Sequence, residues 1–143
     1  MKTQVFFADA RDEIVFDLSA GYAGLAPGSV VRTFVYDRAR QTATVADRVK
    51  LDRPVKLEFP VTTHCEVRET GKGTAVFLSG GSGNGRGLNV KMSVDGGNWS
   101  VKRETLANPR RKDVTRLAAV LDAPVCEATA TVVYAAAMTS GAP

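Results

Sequence analysis

The chain has little of what most site chemistry needs. Its 143 residues include one histidine, two cysteines and one tryptophan. Cys65 and Cys126 form no C-x-x-C pair, and the lone imidazole, His64, cannot complete a His/Cys zinc set. No metal or other cofactor is therefore expected on this chain. Two buried free thiols are the plain reading of the cysteines, with a single disulfide as the alternative. Long apolar runs are missing too: none approaches the roughly 18 residues of a membrane helix, so no membrane partner is expected. The opening stretch MKTQVFFADARDEIVF has a four-residue apolar run before Asp9. A signal-peptide core needs about 7 to 15, so no export signal is expected, and the compartment stays open.

Helical periodicity is the third absence. No window carries a 3.6-residue apolar stripe, whereas period-two alternation recurs along the whole chain. Strands are expected at 3–8, 12–18, 29–37, 42–51, 54–63, 65–69, 74–79, 87–94, 98–104, 113–121 and 124–136. Between them lie APGS, DRP, TGKG, GGSGNG, DGGN, NPRRK and DAP, rich in residues that make turns or break ladders. SAGYAGLAPG is the one irregular stretch long enough for a helical turn or an ordered loop. The expectation is all-β: one domain over 1–143, an antiparallel two-sheet β-sandwich of about ten strands. A chain of this length can bury a sizeable core without staples.

The segment YDRARQTATVADRVKL raises a question, because alternation puts Asp47 on the apolar face with Val45, Val49 and Leu51. If Asp37 pairs with Thr42 around RARQ, then Tyr36 faces Ala43, Phe34 faces Val45 and Arg32 faces Asp47. Arg32 and Asp47 are thus expected to form a buried structural pair that sets register. A one-residue slip would bury Arg48 and Lys50 and expose Val45 and Val49.

The net charge of +4 comes from basic residues that are scattered except in NPRRKDVTR. A mild basic excess suits an anionic partner; acidic polysaccharide is the partner considered, and no nucleic-acid role is expected. Candidate carbohydrate-binding residues are Trp99, whose face suits a sugar ring, with Arg110, Arg111, Lys112 and His64. TGKGT lacks the GxxxxGK[ST] spacing and the following helix of a phosphate loop, and GGSGNGRG reads as a surface loop. His64 has no partner that spacing alone would make catalytic, so no catalytic residue is assigned. Asn98-Trp99-Ser100 matches the short glycosylation triplet.

The runs DEIVFDLSAGYAG, SVVRTFVYDR and ATVADRVKLDRPVKLEFPVTT resemble the C-terminal β-sandwich segment of the heparinase II/III-like polysaccharide lyases. The residues carrying the likeness are Asp17, Leu18, Ser19, Tyr22, Arg32, Val45, Asp47, Arg48, Val49, Pro54, Val55, Glu58 and Phe59. GLNVKMSV, NWSVKRET and VTRLAAVLDAPVCEATATVVY are similar to that family's closing strands, more loosely. The resemblance implies parent enzymes, often periplasmic or secreted, with an upstream α/α toroid and β-elimination chemistry on uronic-acid glycans. There a Tyr or His removes a proton while Asn, His or Arg neutralises the carboxylate, and a zinc is common in the sandwich. Those elements lie upstream of the matched part. The resemblance therefore implies a non-catalytic C-terminal domain whose partner is the upstream catalytic region, with a freestanding carbohydrate-binding module as the alternative.

Overall fold

The computed structural model describes residues 2–25, 27–79 and 86–137, so positions 80–85 of the glycine-rich loop lie outside the described residues. The strands are β1 (Lys2–Phe7), β2 (Arg11–Asp17), β3 (Pro27–Asp37), β4 (Thr42–Val55), β5 (Glu58–Thr63) and β6 (Glu66–Gly71). They continue as β7 (Thr74–Leu78), β8 (Gly87–Asp95), β9 (Trp99–Leu106), β10 (Val114–Leu121) and β11 (Val125–Ala137). A 3-10 turn, Ser19–Leu25, occupies the irregular stretch between β2 and β3. Eight strands form one antiparallel sheet in the order β1-β2-β3-β4-β11-β8-β7-β6, and three form a second in the order β5-β10-β9. The chain is an all-β sandwich.

Alternation explains the core. Val49 of β4, Ala128, Ala130 and Val132 of β11, and Val90 and Met92 of β8 project from one face of the large sheet. They meet Phe59 of β5 and Leu117, Ala119 and Leu121 of β10. The β3–β4 hairpin adopts the register that the alternation dictates: Tyr36 faces Ala43, Phe34 faces Val45 and Arg32 faces Asp47.

Two expectations need correcting. The chain does not break at DRP, because β4 runs on through Pro54 to Val55. Its ladder with β11 shifts register between the Val125–Val55 and Glu127–Lys50 pairs, and in such a bulge a proline gives up no ladder bond. The cysteines are free but not both buried: Cys65 is half-buried and Cys126 is exposed. Cys126 sits within that register shift, where the inward–outward alternation is interrupted.

The two sheets differ in width by five strands, and this asymmetry positions everything that follows. The small sheet covers the β4-β11-β8-β7-β6 part of the large one. Beyond it, Val30 of β3 still belongs to the buried core and the 3-10 turn packs on that strand, but from Phe34 onward β3 opens with β2 and β1 into a wing whose large apolar side chains are exposed.

Candidate functional site

The wing presents the same face as the core, now open. Val132, Val45, Phe34, Ile14 and Val5 are successive ladder partners and run as one apolar row from β11 to the outermost strand. Phe16 meets Phe34 edge to face, with ring centroids 5.8 Å apart. Phe34, Tyr36, Val5 and Phe7 are exposed, Phe7 at 74%. A contiguous apolar face of this kind marks an interaction surface far better than scattered single residues do.

Where the wing meets the small sheet, a trough runs between the face of β3 and β4 and the free edge of β5. It holds two hollows, of about 340 Å³ and about 270 Å³, that share Arg32, Asp47, Phe59 and Pro60. The ion pair stands between them. Arg32 Nε donates to Asp47 Oδ1 at 2.6 Å, and Nη2 donates to Oδ2 at 2.7 Å, a bidentate fork on directly opposed residues. The side chains are 41% and 18% exposed, so the pair lines an open trough instead of lying sealed in the core as expected. The small sheet ends at β5 and leaves it partly uncovered. The hydrogen bonds that Arg32 donates to Asp47 hold its proton more firmly than that of a free guanidinium. Burial pushes the nearby Tyr134 phenol above its ordinary range, which favours its protonated form.

The motif residues of the Asp17–Tyr22 stretch build the rim. Asp17 Oδ1 accepts from the Ser19 amide at 3.0 Å and from the Ser19 hydroxyl at 2.6 Å, which holds the Asp17 carboxyl below its usual range. Ser19 Oγ in turn accepts from the Val30 amide at 3.0 Å, and the Leu18 amide donates to the Val30 carbonyl at 2.8 Å. These bonds pin the 3-10 turn to β3 and set exposed Tyr22 at the lip of the larger hollow. Further along the chain, Arg48 reaches Glu127 at 3.0 Å. Glu58 accepts from Arg116 at 2.7 Å, and Arg116 also reaches Glu104 at 2.7 Å. Asp17, Ser19, Arg32, Asp47, Arg48 and Glu58, polar residues that carry the likeness, thus make structural links in this fold.

The sugar-binding candidates fall at two ends of the small sheet. Trp99 starts β9 and packs on the Gly73 turn, with Lys72 Nζ lying 4.6 Å over its ring. Arg110, Arg111 and Lys112 are exposed on the loop after β9. That loop is shaped by bonds from the Arg110 amide to Asn108 Oδ1 (3.2 Å) and from the Asn108 amide to Asp113 Oδ1 (3.1 Å). His64 Nδ1 lies 3.1 Å from the Lys112 carbonyl, so His64 and the basic loop are neighbours. Trp99 is a strand length away, about 23 Å at 3.3 Å per residue. Among the described residues no group of three or more His, Cys, Asp or Glu side chains assembles that could hold a metal ion, so these residues do not fit the zinc of the resembled family.

The aromatic wing is what residue-by-residue reading missed. The available signal was β1 itself, where Val5, Phe6 and Phe7 are apolar on both faces, the pattern of a strand covered on both sides.

No family model matches the chain, and no curated protein matches it. Among solved structures it is similar to a heparinase III gene product, with a TM-score of 0.70 and 12% identity. The match covers 93% of this chain and 21% of that protein, so the chain spans about a fifth of the heparinase III length. At that identity the likeness shows a shared fold.

Proposed function

We propose that this chain is a non-catalytic β-sandwich domain of a heparinase II/III-like polysaccharide lyase, corresponding to its C-terminal part and supporting the catalytic region. The parent reaction would be β-elimination on uronic-acid-containing glycans. The observation that carries this reading is the open aromatic wing, since a self-sufficient module would cover its core face all round. Two further observations support it: the fold is shared with about a fifth of a heparinase III, and the guanidinium of the trough is already spent on Asp47. Within the trough, burial also favours the protonated form of Tyr134.

The test is reconstitution in trans with a lyase catalytic region encoded alongside this segment. Addition of the chain is expected to raise that region's melting temperature and its activity, and Phe34→Asp is expected to remove both effects. An unchanged catalytic region would overturn the reading.

One observation favours the second reading, a freestanding carbohydrate-binding module for acidic polysaccharide: the exposed basic loop beside His64. In that case Arg110, Arg111, Lys112 and His64 would bind the glycan, with Trp99 at a separate place. Neither reading calls on nucleic acid, a membrane or a cofactor.

A further inference from the structure

Among the described residues the two sheets end in four edge strands, and three of them carry devices against edge-to-edge pairing. In β5 the Leu121 amide bonds the Leu57 carbonyl, so by alternation 59, 61 and 63 face β10 while 58, 60 and 62 face outward. Pro60 therefore removes a donor from the open edge. β6 carries Glu66, Arg68 and Glu69 and an irregularity before Gly71. β9 carries Lys102, Arg103 and Glu104 in succession. β1 has none of these: KTQVFF holds no proline, no bulge and one charge, at its start.

The open edge of β1 is also self-complementary. Ala8 and Arg11 exchange both backbone bonds, so even-numbered residues of β1 bond β2, and the amides and carbonyls of Thr3, Val5 and Phe7 point outward. A two-fold axis through Val5 sets Val5 opposite Val5 and Thr3 opposite Phe7, and every outward donor meets an acceptor. The same register brings Lys2 beside Ala8 and one residue from Asp9 of the other copy, opposite charges on exposed side chains. It also joins the Val132-Val45-Phe34-Ile14-Val5 row end to end with its mate.

The geometry points to a homodimer in which two copies of this chain pair antiparallel through β1, making one continuous sheet of twice the width. The contact is made by the sheet's edge, so it is independent of what covers the wing's face. Six-residue strands bury little area, so the association is concentration-dependent.

Sedimentation equilibrium over about a hundredfold range of concentration should show a monomer–dimer equilibrium. Val5→Pro should yield a monomer that still folds, because the Val5 amide makes no bond to β2, as Pro60 makes none to β10. Hydrogen exchange on the wild-type chain gives an independent reading: the Thr3, Val5 and Phe7 amides should gain protection as concentration rises. A chain monomeric throughout, a Val5→Pro dimer as tight as wild type, or protection absent from these three amides would each overturn the proposal. Protection of β1 that appears only when a lyase catalytic region is added would do the same, and would assign the edge to that partner's strand.

Discussion

Arg32 and Asp47 face each other across β3 and β4 and share two hydrogen bonds, of 2.6 and 2.7 Å, at the waist of an open trough. The pair holds register without being sealed from water, and its energetic weight follows from that position.

Asp47→Ala should therefore cost about 1 to 3 kcal/mol, below the roughly 3 to 5 expected for breaking a sealed pair, because water reaches the stranded guanidinium. Denaturant unfolding of Arg32→Leu, Asp47→Ala and the double variant measures the coupling. Additive single effects would show that the two side chains act independently.

Acid should weaken the small sheet. The bond from Arg116 holds the Glu58 carboxyl below its usual 4.5, and bonds from Lys102 and then Arg116 do the same for Glu104. A carboxyl whose folded value is lowered contributes stability above the unfolded value and loses it as pH falls through the folded one. Urea midpoints should accordingly drop as pH falls from about 4.5. Arg116→Gln should be less stable near neutrality and show a flatter acid limb; parallel wild-type and variant curves would contradict this.

Gly73 is a backbone requirement. Its φ is +69°, and an added Cβ would lie 2.6 Å from the Met92 carbonyl oxygen and 2.6 Å from the Trp99 ring. Gly73→Ala should lower stability by about 1 to 3 kcal/mol. At Gly21, where an added methyl meets nothing within 4 Å, the same change should be close to neutral, and thermal melts of the two variants give the comparison.

Any binding to acidic glycans should fall steeply with salt, because exposed arginines and lysines act through a screened field. Arg110→Glu with Arg111→Glu should abolish it and Trp99→Phe should not, since the two lie at opposite ends of β9. Titration at two ionic strengths is the measurement, and salt-insensitive binding lost with Trp99 would reverse the assignment.

The isolated chain should show no lyase activity. Incubation with heparan sulfate, alginate or hyaluronan should give no rise in absorbance from an unsaturated uronate. A rise removed by Tyr134→Phe would place chemistry in the trough.

Sequence alone determined the local grammar of this protein. Period-two alternation with turn residues between the runs leaves no helical alternative outside SAGYAGLAPG, which holds the 3-10 turn. In the β3–β4 hairpin only one register buries Val45 and Val49 while sparing Arg48 and Lys50, so the Arg32–Asp47 pairing follows from parity. Tertiary structure decided what covers what. Alternation separates the two faces of a strand, but strand order and the unequal widths of the two sheets arise from non-local packing. Those widths leave Phe34, Tyr36 and Phe7 open and place the Arg32–Asp47 pair at the edge of the covered region. A register shift opposite β4, invisible in a period-two pattern, turns Cys126 outward. The length of β9 separates Trp99 from the basic loop, while the β5–β10 ladder carries His64 to that loop across 48 residues of sequence. Such distances depend on how strands are stacked in space, which a one-dimensional pattern does not encode.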